Sequence, residues 1–235
     1  MAIRGALFDK DGTLISFEMT WGPAIAAVIA ALAKGDPDKL AAQAAALEFS
    51  LEEQRFLPTS PIIAGSTGHY GPIWAAALGR TDHAELKREI DALSAVESLR
   101  SLTPISEPKR IVLELKSLGV SSGVATNDSE ASARRQISAL GLLEDLDFIV
   151  GYDSGYGSKP DPGMIHAFAE KLGVDVGSIA MIGDTLHDMV AARAAGAVAI
   201  AVLSGPAGRE DLEAAADYVI EDISALPALI AELAA

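Results

Sequence analysis

Ile3-Arg4-Gly5-Ala6-Leu7-Phe8-Asp9-Lys10-Asp11-Gly12-Thr13 opens as a short apolar strand and ends in an acidic, glycine-bearing turn. The next comparable run, Val120–Thr126, comes far along the chain, and from there a regular rhythm sets in. Pro108 suits the first position of a helix that stops before Gly119. Asp128 suits the N-cap of a helix through Leu140, closed by Gly141. Asp161-Pro162 starts another, closed by Gly173, and a fourth runs from His187 to Ala195 ahead of Gly196. Apolar runs at Phe148–Val150, Ile179–Gly183, Val198–Leu203 and Tyr218–Ile220 fill the gaps. Strands alternating with single helices predict a parallel sheet covered on both faces. The expected fold class is therefore α/β, a doubly wound parallel sheet built from residues 1–15 and 104–235. In such sheets ligands bind at the carboxyl ends of the strands, near a switch in strand order.

Residues 16–103 have a different texture. Helical patterns at Trp21–Lys34, Pro37–Phe56, Ile73–Leu78 and Asp82–Leu102 run without a strand signal, which predicts an inserted α-helical domain. A loop rich in Pro, Gly and Ser, from Pro58 to Pro72, separates two of these helices. An insertion after the first strand is placed to cap a site at the sheet's carboxyl edge.

Composition narrows the function classes. The chain has 235 residues, 50% of them hydrophobic and 22% charged, which fits a globular fold with a sizeable core. Its formal charge of -15 repels polyanions and anionic lipid surfaces, so neither nucleic acid nor membrane is an expected partner. Cys is absent, so any metal must take oxygen or imidazole ligands. No leader pattern and no apolar run long enough to span a bilayer is visible, and the expected setting is the cytoplasm. Nothing in the composition chooses between a monomer and a dimer.

Each of the following stretches falls at a predicted strand end: Phe8 to Leu14, Val124-Ala125-Thr126-Asn127-Asp128, Ser158-Lys159-Pro160-Asp161-Pro162, and Ile182-Gly183-Asp184-Thr185-Leu186-His187-Asp188. Singly they read as an Asp-Gly turn, a helix N-cap, a loop with a surface Lys, and a helix start with acids near the positive dipole end. Their order, spacing and common placement agree with one site. With these motifs the sequence resembles the haloacid dehalogenase-like hydrolase superfamily, and within it the phosphatases that carry a helical cap between the first and second motifs.

The resemblance implies a Mg²⁺-dependent hydrolase of a small phosphorylated metabolite, similar to phosphoglycolate phosphatase. It makes Asp9 the nucleophile that forms an aspartyl-phosphate. It assigns Mg²⁺ to the Asp9 carboxylate, the Asp11 backbone carbonyl and Asp184, an oxygen-only set suited to that ion. Lys159 supplies positive charge beside Asp9 and the phosphate. The Thr126 hydroxyl, with backbone donors around Gly12 and Asn127, binds the phosphate. Asp188 lies outside the metal shell, binding a water or orienting Lys159. Asp11 is the general acid that protonates the leaving oxygen, then the base that activates water. The family's ion pumps have Thr in place of Asp11 and need membrane spans; its dehalogenases lack an acid there. The rival readings are a phosphosugar mutase that shares this site and a binding protein that has kept the fold without turnover.

Lys10 stands where the family usually has an apolar residue. Either the neighbouring strand face is exposed, or Lys10 pairs with an acid. The usual acid-Ser pair after the first motif is replaced by Ser16-Phe17-Glu18. His69-Tyr70, in the glycine-flanked loop, is a candidate substrate contact. Arg55 and Arg80 read as residues paired with acids in the helical domain, and Trp21 and Trp74 as packing residues.

Overall fold

The computed structural model describes residues 2–63, 65 and 67–234. The chain divides into two compact units, residues 1–16 with 104–235, and residues 17–103. Strand β1 (Gly5–Phe8) begins the first unit. The second unit follows with α1 (Phe17–Ala33), α2 (Pro37–Ala46), β2 (Phe49–Ser50), β3 (Arg55–Phe56), α3 (Thr67–Leu78) and α4 (His83–Arg100). The first unit then resumes with α5 (Pro108–Ser117), β4 (Ser121–Ala125), α6 (Glu130–Ala139), β5 (Phe148–Val150), α7 (Gly163–Leu172), β6 (Ile179–Gly183), α8 (Leu186–Ala195), β7 (Val198–Val202), α9 (Arg209–Ala215), β8 (Tyr218–Ile220) and α10 (Leu226–Ala234).

The six strands of the first unit lie in the order β5-β4-β1-β6-β7-β8, all parallel. The chain runs outward from β1 through β4 to β5, then returns to β6 and runs out the other way. The switch in strand order therefore sits beside β1, where a doubly wound sheet opens a crevice at its carboxyl edge.

The pleat explains why these strands, apart from Ser121 and Ser122 of β4, read as apolar runs. Ala6 and Phe8 of β1 pack on one face with Ile111 and Leu115 of α5, Ile137 of α6 and Ile230 of α10. Leu7 packs on the other face with Phe168 of α7 and Met189 of α8. The same alternation runs through β7, where Val198, Ile200 and Val202 join the first cluster and Ala199 and Ala201 the second. A strand covered on both faces favours apolar side chains at successive positions.

The helical unit has its own core, with Trp21, Ile25 and Ile29 of α1, Trp74 of α3 and Ile90 of α4. Two expectations fail here. The run Pro37–Phe56 is not one helix. It stops at Ala46, Glu48 takes a left-handed φ of 50°, and an antiparallel hairpin of β2 and β3 follows. Phe49 and Phe56 are seven residues apart, a spacing that imitates one face of a helix. The hairpin sets them opposite each other instead, with ring centroids 5.1 Å apart. Nor does the expected Pro58–Pro72 loop extend to Pro72. Helix α3 already begins at Thr67 in spite of Gly68, Gly71 and Pro72. Tyr70 and Trp74, one turn apart and both buried, provide packing that overrides the poor helix formers. Ala64 and Ser66 of that loop lie outside the described residues. No helix among the described residues is long and apolar enough to cross a membrane.

Candidate active site

Asp9, Thr126 and Asp184 are each the first residue beyond a strand, β1, β4 and β6 respectively. Backbone bonds carry the register past the strand ends: Asp9 N donates to Ile182 O at 2.7 Å and Thr126 N to Val150 O at 3.1 Å. Lys159 arrives from the loop between β5 and α7. Its backbone is gripped by Asn127, whose Oδ1 accepts from Lys159 N and whose Nδ2 donates to Lys159 O, both at 2.9 Å. The ammonium then reaches Asp9 Oδ1 at 2.6 Å and Asp188 Oδ1 at 2.7 Å. Asp188 is itself fixed, since its Oδ2 accepts from Thr185 N and Thr185 Oγ1 and completes a capping box at the start of α8.

Asp184 is held differently. Its Oδ1 accepts from Thr13 Oγ1 at 3.1 Å, while its Oδ2 is buried without a hydrogen-bond partner. Glycines line that oxygen. A Cβ on Gly12, whose φ is +86°, would stand 2.2 Å from Oδ2, and a Cβ on Gly205 would stand 1.8 Å from it. Ser204 Oγ, next to Gly205, donates to Gly12 O at 2.7 Å and ties the two loops together.

Ligand atoms of Asp9, Asp184 and Asp188 all lie within 4.8 Å of one another. Three buried carboxylates thus face one ammonium. Burial, partly opposed by Lys159 and reinforced by Asp188 and Asp11, pushes the Asp9 carboxyl up to about 6. Burial, reinforced by Asp9 and Asp188, pushes Asp184 well above the usual carboxylate range. For Lys159, burial alone would lower the pKa, but Asp188 and Asp9 outweigh it and the net direction is up. The cluster is short of positive charge. An orphaned, buried carboxylate oxygen in an all-oxygen donor set suits a hard divalent cation.

The remaining expected residues join through a second group. Thr126 Oγ1 accepts from Asp128 N at 3.1 Å. Asp128 Oδ2 lies 3.3 Å from Lys10 Nζ, and Lys10 Nζ lies 2.6 Å from Asp11 Oδ2. Lys10 is therefore an acid-paired residue and not part of an exposed strand face; it has no exposed surface. Asp128 is not the N-cap of α6. Ser129 takes that place, its Oγ accepting from Ser132 N, and Asp128 is turned toward Lys10 instead. His69 is exposed on α3, and Tyr70 is a core residue with its hydroxyl 3.1 Å from Thr67 Oγ1. Arg55 pairs with Glu53, and Arg80 with Asp82 and Glu89. The loop after β7 was missed by sequence reasoning. Its signal was Ser204-Gly205-Pro206, a turn at one more carboxyl strand end.

A phosphoglycolate phosphatase of Neisseria meningitidis is 38% identical over 102 residues, which are 43% of this chain and 43% of that protein. The chain thus spans less than half the length of that relative. A phosphoglycolate phosphatase of Yersinia pseudotuberculosis is 27% identical over 219 residues, covering 87% of this chain and 82% of the relative. The solved structure of CbbY from Rhodobacter sphaeroides in complex with phosphate superposes with a TM-score of 0.72 at 22% identity, over 95% of this chain and 96% of that one. A family profile matches residues 3–196, which takes in all the strand-end residues from Asp9 to Asp188, and on that match the chain belongs to the haloacid dehalogenase-like hydrolases.

Proposed function

We propose that the chain is a Mg²⁺-dependent phosphomonoesterase of the cytoplasm that hydrolyses a small phosphorylated metabolite through an aspartyl-phosphate on Asp9. The observation that carries this reading is the buried Asp9 carboxylate, 2.6 Å from the Lys159 ammonium and grouped with Asp184. A carboxylate attacking a phosphate dianion meets like-charge repulsion, and a low-dielectric site amplifies it unless cations are in place. Lys159 provides one. Asp9 and Asp184, with the Asp11 carbonyl, would hold Mg²⁺, which when bound supplies the remaining neutralising charge.

In the first step an Asp9 oxygen bonds to phosphorus while the bond from phosphorus to the leaving oxygen breaks, and Asp11 gives its proton to that oxygen. In the second, Asp11 takes a proton from water as the water oxygen bonds to phosphorus and the bond from phosphorus to the Asp9 oxygen breaks, which frees phosphate and restores the Asp9 carboxylate. The Thr126 hydroxyl and backbone donors near Gly12 and Asn127 orient the phosphoryl oxygens. Asn127 supports this indirectly as well, by fixing the backbone of Lys159. Asp188 holds Lys159 against Asp9, and the helical unit serves as the substrate-selecting module.

Phosphate release across a panel of phosphomonoesters, with and without Mg²⁺, tests this. Mg²⁺-dependent release with no activating bisphosphate is the expected result. Phosphoglycolate heads the panel because two relatives bear that name. Phosphoryl transfer to a second hydroxyl without free phosphate would replace the hydrolase with a mutase, and inertness towards the whole panel would leave a binding protein.

Gly205→Ala probes the same site from outside the motifs. The added methyl occupies the space of Asp184 Oδ2 and must displace that carboxylate. The expected result is a loss of about 10- to 100-fold in Mg²⁺ affinity with the fold retained, the scale of disturbing the support of a metal ligand. Calorimetric titration with Mg²⁺ measures it, and parental affinity would remove Asp184 from the metal site.

A further inference from the structure

Lys10 is the buried cation that the proposed chemistry leaves unused. An ammonium offers three donors and is expensive to bury unless each finds an acceptor. Two acceptors hold it, Gln136 Oε1 at 2.5 Å and Asp11 Oδ2 at 2.6 Å, and the Asp128 carboxylate stands 3.3 Å away as a further counter-charge. They come from three separate places. Gln136 is a buried residue of α6, Asp128 belongs to the turn after β4, and Asp11 to the turn after β1. Gln136, buried in α6, anchors the ammonium from the helix side, Asp128 adds a counter-charge, and Asp11 is the group it holds. The Asp11 and Asp128 side chains keep 18% and 21% of their surface exposed, whereas Lys10 has none and Gln136 almost none. The rigid partner is thus the lysine, and the carboxylate is the one whose direction it sets.

We infer that Lys10 is a positioning residue for Asp11: anchored on Gln136, it holds the Asp11 carboxylate in the direction needed for proton transfer. This rests on the reading of Asp11 as the acid and base of a phosphomonoesterase. A proton-transfer group works only within hydrogen-bond reach of the atom it serves, and a carboxylate on two free torsions spends much of its time elsewhere. The side chains placed about the ammonium are Gln136, Asp128 and Asp11, so its loss is expected to fall on turnover and to spare substrate binding.

The test is a cycle of four proteins: the parent, Asp11→Asn, Lys10→Met/Asp128→Asn, and the three substitutions together. Asp128 is changed along with Lys10 so that it is not left without its counter-charge, and the Asp11→Asn background does the same for Asp11. In the parent background, Lys10→Met/Asp128→Asn is expected to lower kcat about 10- to 100-fold, the cost of a misplaced catalytic group. Its KM should stay within about twofold of the parent's, as for an interaction made only in the transition state. In the Asp11→Asn background the same pair should cost no further kcat, because the group it serves is already gone. Equal fold-losses in both backgrounds, or no loss in the first, would overturn the inference. Gln136→Leu removes one anchor and keeps the charge, and it runs through the same cycle, so the result does not depend on one variant folding. A parent without Mg²⁺-dependent phosphate release would remove the phosphomonoesterase reading itself. An active parent with multiplicative losses removes only the role of Lys10.

Discussion

Asp9→Asn is expected to lower kcat by roughly 10⁵-fold, the scale of deleting a nucleophile that works in concert with its neighbours. The amide keeps the size of the carboxyl group and an oxygen that can still accept from Lys159, so geometry and packing persist while the attacking charge disappears. Stability should move the other way. Burial raises Asp9 to about 6 against an ordinary value of 3.8, so the folded protein binds more protons than the unfolded chain between those pH values. This contribution is therefore most favourable below the lower value and is lost as pH rises through the upper one. At neutral pH the metal-free parent carries an ionised Asp9 whose burial is unfavourable, and Asn removes that term. Thermal melts of the metal-free proteins at pH 7 should put Asp9→Asn at or above the parent. A correctly folded Asp9→Asn protein with parental turnover would end the aspartyl-phosphate mechanism.

Lys159→Met is expected to cost about 3–5 kcal/mol of stability, the range for breaking a buried ion pair from one side. Asp9 and Asp188 then face each other across a buried space without their shared cation. On the proposed mechanism activity is lost with it, because Asp9 and the phosphate would both lose the ammonium. Lys159→Met/Asp188→Asn separates the two effects: it removes one stranded carboxylate and should recover part of the stability while leaving turnover absent. Denaturant unfolding in the absence of divalent cations, alongside a phosphate-release assay, reads both. A single variant as stable as the parent would show that Lys159 is not the counter-ion of this cluster.

The sheet was legible because its signals are local. A glycine or an acidic turn follows each apolar run, and outside Ser121 and Ser122 of β4 few polar positions blur the strands. The helical unit was less so, since its misread parts depend on tertiary partners: Phe49 finds Phe56 across a hairpin, and Tyr70 with Trp74 stabilises a helix that its glycines and proline argue against. The site shows the same division. Asp9, Thr126, Lys159 and Asp184 lie in short recognisable motifs. Gly205 sits in an ordinary-looking turn, and only the closeness of Asp184 Oδ2 shows why a side chain cannot stand there. The burial of Lys10 depends on Gln136, 126 residues away in sequence, and no local pattern announces that pairing.

The central position of β1 bears on how the protein assembles during synthesis. Its neighbours on either side are residues 121–125 and 179–183, so the earliest-made strand must wait for both flanks to emerge from the ribosome. Closing loops of that span is entropically slow, and it leaves an apolar ribbon uncovered while the intervening helices can already collapse on their own tryptophans. The residues of the proposed chemistry depend on those late pairings, so a nascent chain cut short before β6 would carry Asp9 without a place to put it.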